Sequence, residues 1–165
     1  MQDTKHIKGL SALSKYLDNF PPKFQRNIAR GALRAGMNVV KPVAQSKVHS
    51  ISGELAKGLK ISTNSKGGQV VAKLKATGKH RSVAHLVEFG TRAHLISAKF
   101  KGMLSFMNVF RKTVMHPGAQ PKAFMRPALD SKATPAVVAV GNYIKTRLET
   151  KLGIDTSHIK VEGDE

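Results

Sequence analysis

Apolar residues recur along this 165-residue chain at two different periods, and the changes of period divide it into elements. Ile7, Leu10, Leu13, Leu17 and Phe20 fall at helical spacing, so residues 1–20 predict a short amphipathic helix that Pro21 and Pro22 end. From Lys23 to about His49 the spacing returns more clearly. Phe24, Ile28, Ala32, Ala35, Val39 and Val43 share one helical face, and Lys23, Arg26, Arg30, Arg34 and Lys41 share the opposite one. Such a helix is roughly 40 Å long at 1.5 Å per residue, with a kink expected at Pro42, whose nitrogen has no proton to donate. The small residues Ala32, Ala35 and Gly36 leave room on the apolar side for another backbone.

Beyond Ser52 and Gly53 the period shortens. Leu59–Ser62 and Val70–Lys75 alternate about a turn-rich Asn64–Gly68, which predicts a β-hairpin. Ala84–Phe89 is apolar and fits either a helical turn or a strand, closed by Gly90. Leu104–Phe106 and Val109–Val114 predict a second hairpin, preceded by an extended excursion from Gly90 to Gly102. The span 92–112 is expected to form an arm that packs on another subunit, because Leu95, Ile96, Phe100, Met103 and Phe106 sit in it with little helical period. The last large element runs from about Phe124 to Leu152, with Ala133, Val137, Val140, Ile144 and Leu148 aligned and Gly153 as its stop. Pro127 and Pro135 each suit a first turn, so a short helix followed by a longer one from Thr134 is expected. Residues 154–165 form a tail in which Ile154–Val161 could add an edge strand. The whole reads as one α+β domain, 1–165: a long amphipathic N-terminal helix and a long C-terminal helix packed on a small antiparallel sheet of hairpins.

Charge changes this picture. Between Asp18 and Asp130 lie twenty Lys and Arg against two carboxylates, Glu54 and Glu88, while the two ends are electrically neutral, so the formal charge of +18 belongs to the middle of the chain. A basic excess within the structured part points to a polyanion or an acidic protein partner. The arginine-rich helix face has no acidic i,i+4 partners to offset its repulsion, which favours an interaction role over a solvated face. Charge alone leaves nucleic acid and acidic protein both open.

Candidate chemistry is sparse. His80, His85, His94 and His116 cluster in one third of the chain with Glu88 nearby, but there is no HExxH spacing and little carboxylate to complete a metal site. No GxSxG occurs, no cysteine is present, and the Gly67–Gly68 pair lacks the Lys-Ser/Thr ending of a phosphate loop. These absences predict no enzyme, no cofactor and no metal. No run of about 18 apolar residues and no signal segment is visible, so neither a membrane span nor secretion is expected, and synthesis in the cytoplasm is.

Two strings carry a resemblance: His85–His94, HLVEFGTRAH, and Met115–Asp130, MHPGAQPKAFMRPALD, with Ser52-Gly53-Glu54-Leu55 upstream. Together they resemble the tail-completion or neck proteins of long-tailed bacteriophages, the family of the tenth gene product of HK-type phages, related in role to lambda's minor tail protein Z. The motif positions are Gly53, Leu55, Glu88, Phe89, Gly90, Thr91, His116, Pro117, Gly118, Phe124, Arg126, Pro127 and Ala128, and Lys122-Ala123-Phe124 departs from the commoner Pro-Phe step. The resemblance implies a structural virion protein, a homo-oligomeric and sixfold ring at the head-proximal end of the tail. Its implied partners are the tail terminator or tube and the head–tail connector, with genomic DNA in the channel. The alternative is a basic nucleic-acid-binding protein acting through the Lys23–Lys41 face. Of the motif residues, Gly90 and Gly118 suit tight turns and Pro127 a helix start, while Glu88 is expected to pair with Arg92 or Arg126, since an unpaired buried carboxylate is costly.

Overall fold

A computed structural model describes residues 7–48, 53–98, 102–106 and 109–163. The side chains of Ile7, Phe106 and Val109 and the whole of Phe100 lie outside that description. In chain order the elements are β1 (Ile7–Lys8), α1 (Leu10–Asp18), α2 (Pro22–Lys47), α3 (Glu54–Lys57), β2 (Leu59–Lys66), β3 (Gln69–Ala76), a 3-10 turn (Lys79–Ser82), α4 (Ala84–Phe89), β4 (His94–Ser97), β5 (Leu104–Phe106), β6 (Val109–Arg111), β7 (Thr113–His116), α5 (Met125–Leu152) and β8 (Glu162–Gly163). The fold is α+β, with every strand in an antiparallel pair: β1 with β8, β2 with β3, β4 with β7, and β5 with β6.

The two long helices are the frame. In α2 the buried residues are Ile28, Ala32, Gly36, Val40 and Ala44, a strict i,i+4 ridge. It runs one position on from the Ala35, Val39 and Val43 line of the sequence pattern, and those three are half-buried beside it. The facing seam of α5 has the same spacing, through Ala128, Ala136, Val140, Ile144 and Leu148. Ridges of one spacing interlock across an antiparallel pair. The fit is tightest at Gly36, where a β-carbon would stand 2.8 Å from both the Ala136 carbonyl oxygen and Val140 Cγ2.

A separate apolar cluster sits at each end of this helix pair. Leu13, Ile28, Ala32, Ile144, Leu148 and Ile159 close the end where α1 and the C-terminal tail lie. Val40, Ala44, Leu55, Leu59, Ala76, Ala84, Phe124 and Ala128 close the other, where α3, the β2–β3 hairpin and α4 pack. Gly67 and Gly68, with φ of 59° and 81°, make the two-residue turn of that hairpin, and the left-handed conformation at both positions suits its twist.

Several elements differ from the pattern reading. Ile7 belongs to β1 rather than to the first helix, which begins at Leu10 after a left-handed Gly9. The helix expected to restart at Thr134 is instead one 28-residue helix that continues through Pro135, and Ala133 is exposed. Pro42 likewise lies within α2 on its solvent side, beside exposed Asn38, so the carbonyl that loses its partner can be hydrated. The Ala84–Phe89 segment is helical. The hairpin expected through Val114 ends at Arg111, because Thr113–His116 turns back to pair with His94–Ser97. The tail's strand is Glu162–Gly163 rather than Ile154–Val161.

Because one of the two Gly36 contacts is with the Ala136 backbone, turning the Val140 side chain cannot relieve it. Gly36→Leu is expected to lower stability in urea by roughly 1–3 kcal/mol, the range for overpacked cores. An unchanged unfolding midpoint would show that the helices separate at no cost.

Candidate interaction site

Glu88 lies on α4 and is 8% exposed, and its hydrogen-bond partners are backbone amides. Its Oε2 accepts the backbone N–H of Phe124 at 2.8 Å and of Met125 at 3.0 Å, and its Oε1 accepts that of Arg126 at 3.1 Å. In place of the expected ion pair with Arg92 or Arg126 the main contact is a cap, with the Arg126 charge adding to it: the carboxylate satisfies the free amides that open α5 and meets the positive end of its dipole. The local sequence supplies no such cap, since Phe124 stands at the N-cap position. Burial pushes the Glu88 carboxyl up, but the amides of Met125, Phe124 and Arg126 outweigh it, helped by the Arg126 guanidinium, and its pKa falls below the ordinary value.

The motif residues around this cap form one root. Val87 O accepts the Lys122 N–H at 2.8 Å, and Thr91 and Ala119 exchange backbone bonds of 2.9 and 3.0 Å. Gly90 and Gly118, both at positive φ, lie where those segments touch. A β-carbon on Gly90 would stand 2.5 Å from Ala119 O, and one on Gly118 would strike Thr91 O. Phe124 and Ala128 are fully buried in the cluster with Leu55, Pro127 falls in the first turn of α5, and Arg126 is exposed. Gly53, at φ 66°, precedes α3. Phe89 of the motif does not anchor in the core: it is 75% exposed.

From this root β4 and β7 project as a two-stranded ribbon. His94 opposes His116 and Leu95 opposes Met115, on opposite faces, followed by Ile96 with Val114 and Ser97 with Thr113. The two histidine rings lie 5.0 Å apart. Each is held locally, His94 Nδ1 by donating to Arg92 O and His116 Nδ1 by accepting the Gly118 N–H. All of β4 and most of β7 is exposed, with Leu95 at 59% and Met115 at 67%, and Phe110 on β6 is 62% exposed. Phe106 pairs through its backbone with Val109.

The basic helix face is shorter than its sequence. Lys23, Arg26, Arg30 and Arg34 are exposed, but the ridge continues as Asn38, Pro42 and Ser46, and Lys41 is half-buried beside it. Arg34 Nη2 donates to Thr63 Oγ1 on β2 at 3.4 Å. The sequence reading missed a second basic face, on the β2–β3 hairpin. Its signal was the alternation of Lys73 and Lys75 in β3, opposite Ser62 and Lys60.

Among the described residues there is no group of three or more His, Cys, Asp or Glu able to hold a metal, and no helix is long and apolar enough to cross a membrane. The arrangement offers surfaces: an exposed ribbon on a fixed root and two basic faces. Residues 11–90 match the family model described as "Bacteriophage HK97-gp10, putative tail-component". That span includes Gly53, Leu55 and the Val87–Gly90 string and ends before the ribbon and α5. No curated protein and no solved structure matches the chain.

The cap makes a signed prediction. A carboxyl lowered on folding contributes fully above its unfolded pKa of about 4.3 and loses that contribution as pH falls through the lower folded value. Glu88→Ala, which strands three amides, is expected to cost roughly 2–4 kcal/mol at neutral pH. The gap between wild type and variant in urea unfolding should close as the pH is taken below the carboxylate range. A gap that persists unchanged into strong acid would mean that the charge does not cap α5.

Proposed function

We propose, from the match of residues 11–90 to the HK97-gp10-like model of phage tail components, that the chain is a structural protein of the virion neck. In this reading its copies form a ring at the head-proximal end of the tail, sixfold as in the resemblance. The ring joins tail tube or terminator to the head–tail connector after assembly in the host cytoplasm. It carries out no catalysis and needs no cofactor. The observation that carries the reading is the ribbon. Leu95, Phe110 and Met115 stand out in water on strands that pack chiefly on each other, and monomeric proteins rarely leave such a surface uncovered.

A second exposed apolar set lies on the body of the same chain: Leu86 at 40% and Phe89 at 75% on α4, with Leu129 at 51% on α5. These residues flank the root from which the ribbon leaves. A ribbon docking on the α4 side of the next copy is a heterologous contact, and repeated contacts of that kind close into a ring when the rotation allows. The exposed Arg26, Arg30 and Arg34 would then face an acidic surface of a neighbouring protein. The alternative, a nucleic-acid binder acting through Lys23–Lys41, draws on the same arginines and makes the opposite forecast for self-association.

Light scattering and electron microscopy of the purified chain, alone and with tail proteins, test the reading. Leu95→Asp with Met115→Asp should reduce assemblies to single chains while unfolding stability moves by less than about 0.5 kcal/mol, since neither side chain is in a core. A wild-type chain that stays monomeric with every tail and connector protein would sink the proposal. Separately, reversing Arg26, Arg30 and Arg34 to Glu should leave folding intact and slow association with neighbouring proteins, most visibly at low salt. Normal attachment and infectivity in that triple variant would return the stripe to a merely solvated face.

A further inference from the structure

We propose that the outer face of the β2–β3 hairpin binds the phosphate backbone of duplex DNA without reading its sequence. The hairpin alternates cleanly. Leu59, Ile61, Leu74 and Ala76 turn toward α2 and the core, and Lys60, Lys66, Lys73 and Lys75 stand exposed on the other side. Lys60 is directly opposite Lys75, and Ser62 is opposite Lys73. Like charges placed opposite one another destabilise a strand pair, and no carboxylate occurs between Leu55 and Val87 to relieve them. Folding therefore gains nothing from this arrangement, whereas a bound polyanion would.

The rest of the face selects the kind of anion. Lys66, Lys73 and Lys75 help to line a groove of about 440 Å³ with Ser62, Asn64, Gln69 and Val71. Hydroxyl, amide and ammonium groups are the usual partners of phosphate oxygens. Val71 is the one apolar residue there, so the face lacks the apolar centre that a protein partner would bury. It has no aromatic ring on which single-stranded bases could stack. It also has no arginine fork for a guanine edge, and Asn64 uses its side-chain oxygen on the Ser65 N–H at 2.8 Å. What is left is a set of point charges. Lys73 and Lys75 lie about 6.8 Å apart along β3, so both can reach phosphates of one DNA strand. Contacts of this sort hold a duplex yet let it slide, which suits a channel but does not require one, so the inference stands apart from the ring.

The test uses the full chain and a labelled random-sequence duplex, with affinity followed by fluorescence anisotropy from about 50 to 200 mM salt. Replacing Lys60, Lys66, Lys73 and Lys75 together by Gln should flatten the log-affinity against log-salt slope by up to about 3.6. That is about 0.9 for each lost phosphate contact, and it shrinks the loss of affinity across this range by a factor on the order of 100. The variant's unfolding midpoint should hold or rise, because the Lys60–Lys75 repulsion is gone. Arg26, Arg30 and Arg34 replaced by Gln should change the slope less. The proposal is overturned if the wild type fails to bind the duplex, or if the arginine variant loses as much as the lysine one. It also fails if the lysine variant loses association with a poly-glutamate peptide but not with DNA, which would make the partner an acidic protein. The mass of the assemblies formed by the lysine variant, measured alongside, reports on the ring separately.

Discussion

The arrangement turns on a carboxylate that holds the start of a helix 36 residues away in sequence. Glu88 gathers three amides of α5 onto α4, and in doing so fixes two chain segments, 87–91 and 118–126, side by side. Between them lie β4 and β7, the two strands of the ribbon. Its direction is therefore set at its root, by a buried charge and two glycine contacts, while the ribbon itself contributes little to any core. A projecting ribbon needs such a root, because a two-stranded pair in water is barely stable by itself.

The cap also explains why α5 begins where it does. Phe124 is a poor N-cap by its own chemistry, since its side chain has no oxygen to offer the first turn. It is instead fully buried beside Leu55 and Ala128. The helix start can bury an aromatic ring there because its amides are satisfied from another element. Hydrophobic anchoring and polar satisfaction, which usually compete for the same residue at a helix end, are divided here between Phe124 and Glu88.

The long helices and the first hairpin were legible in the sequence because period and turn residues agree over many positions, as with Ile28, Ala32 and Val140, or Gly67-Gly68. The exact seam was less so: Ala35 and Gly36 are both small, and the choice between them depends on the facing helix. Pro135 suggested a break, but a proline on the exposed side of a helix packed along its other face bends nothing that the core holds. The sequence marks Glu88 as a carboxylate in need of a partner, and Arg92 and Arg126 are the cations its motifs place near it. The amino end of a helix is also a positive group, and the Phe-Met-Arg-Pro-Ala string marked one. The pairing of Thr113–His116 with His94–Ser97 was hidden because both strands are short and exposed, with no buried face to impose an alternating pattern.

The distribution of exposed groups gives the molecule two unlike ends. At one, α1, β1, β8 and the tail close over Leu13 and Ile159, and none of the large exposed apolar residues among those described belongs to those elements. At the other, α4, the ribbon and the hairpin present apolar side chains and unpaired rows of lysine that each lower the stability of the isolated chain. Repulsion across Lys60 and Lys75 and hydration of Leu95, Phe110 and Met115 are independent costs, arising from opposite kinds of surface. The Glu88 cap holds the root of the ribbon, and the Leu59–Ala76 pairing holds the base of the hairpin. A rigid mount under surfaces that are unfavourable in water is what binding requires, since the ordering cost is met on folding and the partner has only to cover them.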